Sequence, residues 1–319
     1  MKFLFVMDPV HGIVVDKDTS YAFMRGAAAR GHECWHCQPI DVFNRGSDVF
    51  AAARPVRLGA ESGGPSLGEA RLQELAGLDA VLLRKDPPFD VEYAHLTHQL
   101  DLVKQRTLIV NDPRGLRDAN EKLFAFHFCD FMPKSLVTAT PSRILEFLVD
   151  VGGRAVLKPL DGAGGAGVVA IATDDKNTRA LVDLLTRDGR QLALAQEYLP
   201  EIRTGDKRVL MLEGEPLGAI LRVPREDDIR ANIHVGGSVR PTTLTEAEAK
   251  MVRTIGRALC EHGLWFVGLD LIGGRLIEVN VTSPTGIQEL GRHTGSSPEQ
   301  DVIAWVERRA QALKSQAPR

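Results

Sequence analysis

The first third of the chain places short apolar runs between stretches of helical periodicity. Residues 2–7 predict a buried strand, and a helix is expected at 19–30 with Thr19 or Ser20 as its N-cap. A second short strand should follow Gly31. Strands and helices in this order are typical of βαβ units with a parallel sheet. The pattern further predicts strands at 79–84 and 107–111, a helix at 91–105, and irregular chain with one edge hairpin in 44–70.

The middle of the chain predicts two helices followed by a strand, a glycine-rich loop and a second strand. Pro141 suits the first turn of the second helix, where its missing N–H group costs nothing. The expected helices are 121–130, 141–150 and 178–187, and the expected strands are 135–138, 154–160, 168–172 and 192–197.

The last third predicts antiparallel hairpins. Residues 206–223 give a strand, a turn at Glu213–Gly214 and a strand, whereas 224–241 is a polar loop without periodicity. A helix is expected at 245–262, strands at 265–272 and 275–281 joined by Gly273–Gly274, and a C-terminal helix from Pro298. The pattern as a whole predicts an α/β protein with three units, at 1–120, 121–198 and 199–319.

Composition narrows the class of partner. The chain has 319 residues and a formal charge of -3, so it shows no basic footprint for nucleic acid. Small-molecule anions would have to be held by local basic groups. The apolar N-terminal run is too short for a signal peptide or a membrane span, so we expect a cytoplasmic protein without membrane attachment.

Two of the four cysteines, Cys34 and Cys37, form a CxxC. One interpretation is a redox or zinc half-site; the other is a short strand in which cysteine fills space. No second CxxC and no Cys/His pair at finger spacing completes a metal site, which favours the second interpretation.

The glycine loop between the two middle strands matches GxGxxG. A dinucleotide fingerprint requires a helix after the loop, but here the β-branched run Val168, Val169 and Ile171 predicts a strand. The loop also lacks the Gly-Lys-Ser/Thr end of a Walker A motif. A flap whose backbone N–H groups cover phosphates remains, with Lys158 beside it; the alternative is a plain hairpin turn. The flap glycines are Gly162, Gly164, Gly165 and Gly167.

Acidic and amide side chains alternate with apolar residues in the last predicted hairpin. Glu278 and Asn280 share one face of their strand, and the Gly273–Gly274 turn can bring Asp270 opposite them. Two carboxylates and an amide oxygen suit magnesium bound together with substrate phosphates. The alternative is a solvated strand face.

These motifs resemble the ATP-grasp superfamily and, within it, the prokaryotic glutathione synthetases. The resemblance rests on segments that occur in one order along nearly the whole chain. They are MDP at 7–9, KDTS at 17–20, RKDPPFD at 84–90, LRDANEKL at 116–123, LKPLDGAGGAGV at 157–168, DKRVL at 206–210, FVGLD at 266–270 and EVNVTSPTG at 278–286.

The resemblance implies an ATP-grasp fold with an N-terminal parallel-sheet domain. It also implies ATP-dependent ligation of γ-glutamylcysteine and glycine through an acyl phosphate, with Mg²⁺, or Mn²⁺ in its place, and a homotetramer. A different ligase of the superfamily, such as a D-alanine–D-alanine ligase or a glutamate-adding enzyme, would share the nucleotide and metal sites, but RKDPPFD argues against it. A non-catalytic ATP-binding protein on this fold would be expected to lose the metal carboxylates or the phosphate cations, and both sets are present here.

The resemblance also assigns roles to individual residues. Nucleotide binding falls to Lys122, Lys158, the four flap glycines, the linker Gln196, Glu197, Tyr198 and Leu199, and Arg208. Catalytic stabilisation falls to Arg208, Arg222 and Asn232, and metal binding to Asp270, Glu278 and Asn280. Substrate binding falls to Thr19, Ser20, Arg84, Lys85, Asp86, Arg230, Gly236, Gly237, Ser283, Pro284 and Thr285.

The polar segment 224–241 is the expected lid over the reaction. Arg225, Arg230 and Asn232 suit an anionic intermediate, and Gly236 and Gly237 suit a hinge. An acyl phosphate that meets water hydrolyses, so such an enzyme needs closure. The alternative is a passive surface loop.

Overall fold

The N-terminal third forms a mixed sheet in the computed structural model, which describes residues 1–59, 64–162, 164–225 and 237–316. The strand order is β3-β4-β2-β1-β7-β8, with β1 parallel to β2 and β7, and β7 parallel to β8. The remaining strands, β5 and β6, pair antiparallel with β4. The elements are β1 (Lys2–Val6), α1 (Thr19–Ala29), β2 (Glu33–Cys37), β3 (Val42–Arg45), β4 (Asp48–Arg57), β5 (Ser66–Leu67), β6 (Arg71–Glu74), β7 (Ala80–Leu83), α2 (Val91–Asp101), β8 (Leu108–Val110) and α3 (Pro113–Asp118).

Two expectations for this sheet are wrong in detail. The N-cap of α1 is Asp18, whose carboxylate accepts the Tyr21 N–H at 2.6 Å, rather than Thr19 or Ser20. Segment 44–70 holds the expected edge hairpin, but it is largely regular, because β4 runs for ten residues. Alanine disfavours strands, yet pairing of β4 with β2, β3 and β6 overrides that preference.

The two cysteines of the CxxC serve different cores. Cys34 packs with Phe3 and Phe5 on one face of the sheet, and Cys37 packs with Leu4 and Val6 on the other. Burial raises the pKa of Cys34 to about 12 and also raises the pKa of Cys37. All four cysteines of the chain are free. The space-filling interpretation is confirmed, because the two thiols cannot point into one site.

The middle of the chain forms a second, antiparallel sheet, here called the lid sheet, in the order β11-β10-β12-β9. Its apolar side packs against two helices in a core of its own. The chain enters and leaves at adjacent points, because Ser135 pairs with Gln196 and the Glu197 N–H donates to the Lys134 carbonyl. The elements are β9 (Ser135–Thr138), α4 (Pro141–Asp150), β10 (Arg154–Pro159), β11 (Val169–Ala172), α5 (Thr178–Thr186) and β12 (Ala193–Glu197).

The α-helix expected at 121–130 is a 3₁₀ segment at Phe124–Phe131, and Phe128 leaves helical geometry with φ -122°. Phe124 and Ala125 pack into the core beside the C-terminal sheet and not into that of the lid. The aromatic run FAFHFCDF is apolar at successive positions, and a 3.6-residue period cannot be distinguished in it.

The C-terminal part forms an antiparallel sheet, here called the floor sheet, in the order β15-β14-β13-β16-β17. Both predicted hairpin turns are confirmed, with positive φ at Glu213, Gly214, Gly273 and Gly274. The elements are β13 (Asp206–Leu212), β14 (Glu215–Val223), β15 (Ser238–Pro241), α6 (Glu246–Glu261), β16 (Phe266–Ile272), β17 (Arg275–Asn280), α7 (Ile287–Thr294) and α8 (Pro298–Gln316).

Two features of this part were not predicted. Strand β15 lies inside the segment 224–241 that was expected to be loop throughout, because its backbone completes the edge of β14. Helix α7 follows directly after Gly286. No described helix is both long enough and apolar enough to cross a bilayer.

The floor sheet and the N-terminal sheet are joined through one buried amide. The Asn111 side chain donates to the carbonyls of Phe266 and Val281, both at 2.8 Å, and accepts the N–H groups of Trp265 and Phe266 at 2.7 and 2.8 Å. Residues of both sheets also share apolar clusters. The two sheets therefore form one packed body, whereas the lid sheet has a separate core.

Candidate active site

A cavity of about 370 Å³ lies between the lid sheet and the floor sheet. Its apolar walls come from both sheets and from the chain that links them. Charged residues gather at its floor-sheet side. The lining residues include Asp86, Glu121, Lys122, Lys158, Gly162, Gly164, Gly165, Gln196, Glu197, Tyr198, Leu199, Asp206, Arg208, Arg222, Asp270, Ile277, Glu278, Asn280, Thr282, Ser283, Pro284 and Thr285.

The three predicted metal ligands lie together. Asp270 on β16 pairs directly across from Glu278 on β17, and Asn280 lies two residues further along the same strand. The Asn280 amide nitrogen lies 3.2 Å from the Asp270 carboxylate. Directly opposed residues of an antiparallel pair share a face, so both carboxylates face the cavity. The two carboxylates fit a hard divalent cation, and Asn280 adds an oxygen ligand when its amide turns so that the oxygen takes the place of the nitrogen.

A register shift beside Asp270 changes what β17 presents to the cavity. Asp270 pairs with Glu278, but Leu271 pairs with Leu276, so Ile277 is an extra residue in β17. In a regular strand, neighbours face opposite sides; here both Ile277 and Glu278 line the cavity. The sequence gives no sign of this bulge.

Two arginines surround the Asp270 carboxylate. Arg208 binds it through Nε at 2.5 Å and through a terminal nitrogen at 3.0 Å, and Arg222 reaches it at 2.8 Å. Burial opposes the charge of Asp270, but Arg208 and Arg222 outweigh burial and hold its pKa below the ordinary value. The structure thus brings the two predicted catalytic arginines and a predicted metal ligand into direct contact, which the sequence did not indicate.

Asp206 is a buried residue of the cavity wall for which no role was predicted. Its carboxylate accepts a hydrogen bond from Arg222 at 2.5 Å. Burial raises the pKa of Asp206 to about 6, although Arg222 acts in the opposite direction. The motif DKRVL begins with Asp206, so its place two residues before Arg208 on β13 is the signal that could have found it.

The two predicted phosphate lysines approach the cavity from different sides. Lys122 lies 3.1 Å from a Glu278 oxygen and donates to the Gly162 carbonyl of the flap at 2.6 Å. Lys158, on β10, donates to the Gln196 side chain at 2.8 Å. Burial lowers the pKa of Lys158. Lys122 therefore links the lid to the floor.

The backbone of the flap adopts a left-handed conformation that only glycine adopts easily. Gly164, Gly165 and Gly167 have φ values of 61°, 84° and 71°. A Cβ on Gly162 would lie 2.8 Å from the Ala166 carbonyl oxygen. Gly162, Gly164 and Gly165 line the cavity, whereas Gly167 does not.

The predicted linker Gln196, Glu197, Tyr198 and Leu199 lines the cavity throughout. Gln196 also donates to the Ser135 hydroxyl at 3.0 Å. The Arg154 guanidinium lies 4.2 Å from the centre of the Tyr198 ring and so holds the ring from the lid side.

The predicted substrate residues separate into two groups. Asp86, Ser283, Pro284 and Thr285 line the cavity, and the Ser283 hydroxyl donates to Asp86 at 2.5 Å. Thr19, Ser20, Arg84 and Lys85 are not among the lining residues. Lys85 lies 3.5 Å from Asp8.

Arg84 supports the loop behind the cavity. Its guanidinium donates to the Ser20 hydroxyl at 3.1 Å and to the Pro284 carbonyl at 2.9 Å, and it lies 5.7 Å from the ring centres of Phe23 and Phe266. Burial lowers its pKa. These contacts place Arg84 behind Pro284, on the side away from the cavity.

Glu121 holds the same loop from the other side and was also missed. Its carboxylate accepts the N–H groups of Val281 and Thr282 and the Thr282 hydroxyl, at 3.1, 3.3 and 2.8 Å. Burial raises its pKa, and the Glu278 charge adds to that effect. Its position beside Lys122 in NEKL was the available signal.

The expected lid residues Arg230, Asn232 and Gly236 lie outside the described residues. Gly237 is described, directly before β15, and is not a lining residue. The roles assigned to these four residues stay predictions.

Family models match both parts of the chain. The model for the N-terminal domain of prokaryotic glutathione synthetase matches residues 1–117, and the model for the ATP-grasp domain of the same family matches 121–295. The chain belongs to the prokaryotic glutathione synthetase family. It is a ligase, and members of this family use ATP with a divalent metal ion to form glutathione.

Curated relatives agree over most of the chain. A glutathione synthetase of Agrobacterium fabrum is 44% identical over 291 residues, which is 91% of each protein. One from Thermosynechococcus vestitus is 41% identical and covers 96% of this chain and 99% of its own. Prokaryotic glutathione synthetase, as predicted from the motifs, is thus confirmed as the family.

Solved structures agree on the fold. The D-cycloserine synthetase DcsG has a TM-score of 0.65 at 14% identity and covers 98% of this chain and 100% of its own. The ATP-grasp ligase PsnB, complexed with precursor peptide PsnA2 and AMPPNP, has a TM-score of 0.62 at 18% identity and covers 97% and 98%. The predicted ATP-grasp fold with an N-terminal domain is confirmed.

Proposed function

We propose that the chain joins γ-glutamylcysteine to glycine through an acyl phosphate formed with ATP. The observation that carries the proposal is that one cavity is lined both by Asp270, Glu278 and Asn280 and by the cations Lys122, Lys158 and Arg208. The cavity therefore combines oxygen donors for a cation with positive groups for phosphates. The family supplies the identity of the substrates.

The proposed chemistry proceeds in two steps. A carboxylate oxygen of the dipeptide's cysteine attacks the γ-phosphorus, and the bond to the β–γ bridging oxygen breaks as ADP leaves. The glycine amine then attacks the acyl carbon, phosphate leaves with the former carboxylate oxygen, and the amine loses a proton. The protein's part is to position the groups and neutralise charge, because the reacting bonds belong to the substrates.

We assign the divalent ion as Mg²⁺, with Mn²⁺ as a substitute, held by Asp270, Glu278 and Asn280. The cation would neutralise charge on the nucleotide phosphates. Lys122, Lys158 and Arg208 add positive charge to the same cavity. Gly162, Gly164 and Gly165 line the opposite side, where backbone N–H groups can cover phosphates.

We place the dipeptide at the end of the cavity formed by Asp86, Ser283, Pro284 and Thr285. Arg84 and Ser20 act behind that end by fixing the Pro284 carbonyl. The adenine lies against the linker at Tyr198 and Leu199, where apolar surface and backbone groups meet.

We also propose a cytoplasmic homotetramer. Four free thiols suit a reducing compartment. The tetramer follows from family resemblance. Sedimentation equilibrium would give its mass directly, and a mass of one or two chains would contradict it.

A direct assay separates the reaction from its alternatives. ADP release is measured with γ-glutamylcysteine, with and without glycine, and with D-alanine alone, while glutathione is quantified by mass spectrometry. We expect glutathione only when both substrates are present. With ¹⁸O in the cysteine carboxylate, one labelled oxygen should appear in the released phosphate. Glutathione formed without label transfer would support the ligase activity but contradict the acyl-phosphate intermediate.

A further inference from the structure

The Asp270 carboxylate already accepts four hydrogen bonds. One oxygen accepts from Arg208 Nε, and the other accepts from the second Arg208 nitrogen, from Arg222 and from the Asn280 amide, at 3.0, 2.8 and 3.2 Å. A carboxylate offers about four lone-pair directions. Each oxygen has about two of them, so the two arginines already fill those of the second oxygen even if the Asn280 amide turns away. A cation can bind that oxygen only if one of the arginines moves.

The two arginines differ in what each would lose by moving. Arg208 forms a two-point pair with Asp270, and its other described contact is the Thr285 carbonyl at 3.3 Å. Arg222 contacts Asp270 at one point and shares its terminal nitrogen with Asp206 at 2.5 Å. Of the two arginines, Arg222 is therefore the one with an alternative carboxylate partner.

Two buried atoms mark the alternative position. Within the described residues, Asp206 Oδ1 and Arg222 Nε both lack a hydrogen-bond partner. A free buried acceptor beside a free buried donor is costly, and it is removed when the two groups meet. A small shift of Arg222 toward Asp206 would convert their one-point contact into a two-point pair.

We infer that Arg222 occupies the position on Asp270 that a cation would take. When the cation displaces Arg222, Asp206 is the positioning residue that binds it. This inference rests on the proposed metal site and adds to it an exchange of Arg222 from Asp270 to Asp206. Without Asp206, release of Asp270 would leave a buried guanidinium unpaired, which is strongly unfavourable. The free protein should accordingly bind a divalent cation weakly.

Mn²⁺ binding without nucleotide tests the exchange. The free Mn²⁺ signal is followed by electron paramagnetic resonance in a titration of the wild type, Asp206→Asn, Arg222→Gln and the double variant. We expect Arg222→Gln to tighten Mn²⁺ binding about tenfold and Asp206→Asn to weaken it about tenfold. In the Arg222→Gln background, Asp206→Asn should change the affinity only about twofold, because no arginine remains to be taken over.

The cycle separates exchange from simple charge. If Asp206 acted only through its negative charge, its replacement would weaken binding by the same factor in both backgrounds, and the inference would be overturned. Unchanged binding in Arg222→Gln would overturn it as well. Folding is checked by thermal unfolding, and Arg222→Lys, which keeps the charge but lacks the two-point fork, replaces Arg222→Gln if that variant does not fold.

The ligase assay on the wild type is a separate readout. If glutathione forms but Asp206→Asn changes the Mn²⁺ affinity equally in both backgrounds, the proposed function stands and the exchange of Arg222 is contradicted. Failure to form glutathione, with the cycle as expected, would remove the function and retain the exchange.

Discussion

The floor sheet and the lid sheet face the same cavity but are built differently. The floor sheet shares its apolar clusters with the N-terminal sheet, and its charged groups are paired across β13, β14 and β16. The lid sheet has its own core and contributes glycines, Lys158 and Gln196. The charges that must be placed accurately thus lie on the fixed side, and the cover over the nucleotide lies on the side that packs independently.

The two sides meet at Lys122, which contacts both the flap carbonyl of Gly162 and the floor carboxylate of Glu278. The contacts of this one ammonium group therefore depend on where the lid lies relative to the proposed metal ligands. If the contrast between a fixed floor and a separate lid is correct, substitutions on the floor should affect turnover or global stability. Substitutions on the lid should affect mainly the KM for ATP.

The largest effect is expected from Glu278→Gln on the floor. The substitution keeps the shape but removes the charge that faces the cation and Lys122, so turnover should fall about 100-fold and the magnesium requirement should rise. ADP release across a magnesium titration measures both quantities.

Glu215→Gln, on an exposed position of β14, is the matched control and should behave as the parent. Turnover of Glu278→Gln equal to that of the parent at low magnesium would show that the metal site has been assigned wrongly.

The second effect concerns the junction that fixes the floor. Asn111→Ala leaves buried backbone groups of Trp265, Phe266 and Val281 without their partners, which should cost about 3 kcal/mol of unfolding free energy. Urea unfolding measures the loss. Asn44→Ala, which removes an exposed amide contact to Gly46, is the control. Equal losses in the two variants would mean that the junction does not hold the sheets together.

The third effect compares two glycines of the flap. An alanine Cβ at Gly167 would meet Pro159 Cγ at 2.9 Å, whereas at Gly164 no heavy atom of the described residues, apart from its chain neighbours, would lie within 4 Å; both positions have positive φ. Both variants carry backbone strain, but Gly167→Ala also displaces the flap. We expect it to raise the KM for ATP about tenfold, with Gly164→Ala well below that. Steady-state kinetics with varied ATP measures the difference, and a reversed order would contradict the observed flap geometry.

The smallest effect is expected from Arg154→Ala, at the boundary of lid and linker. Loss of the cation–π contact with Tyr198 should raise the KM for ATP about two- to fivefold and leave kcat unchanged. Arg143→Ala, on an exposed position of α4, is the control. A fall in kcat with an unchanged KM would place Arg154 on the floor side of the comparison.

The sequence predicted most of the fold because local signals and tertiary packing agree. The β-branched run after the flap correctly indicated a strand, and Gly273–Gly274 correctly indicated a hairpin. Prediction failed where packing overrides propensity, as in the alanine-rich β4, and where successive apolar residues hide the period, as in the 3₁₀ segment.

The site was predictable as far as its motifs reach. Asp270, Glu278 and Asn280 could be brought together from strand periodicity and a turn. Features that depend on strand register could not be predicted. The bulge at Ile277 depends on the register of β16 and β17, and Asp206 becomes a site residue only because Arg222 pairs with it across β13 and β14. Motif resemblance also cannot distinguish a side chain that lines the cavity from one that lies behind it, as Arg84 does.

The adjacent entry and exit of the lid sheet have a consequence for recombination. Because Ser135 and Gln196 are paired neighbours, the chain between them returns to its starting point, and both covalent connections to the rest of the protein lie side by side. A segment with that geometry can be exchanged between related ligases as a cassette without altering the path of the surrounding backbone. Chimeras cut near Lys134 and Glu197 would transplant the flap glycines and Lys158 while the host keeps its own Tyr198, Leu199 and floor sheet.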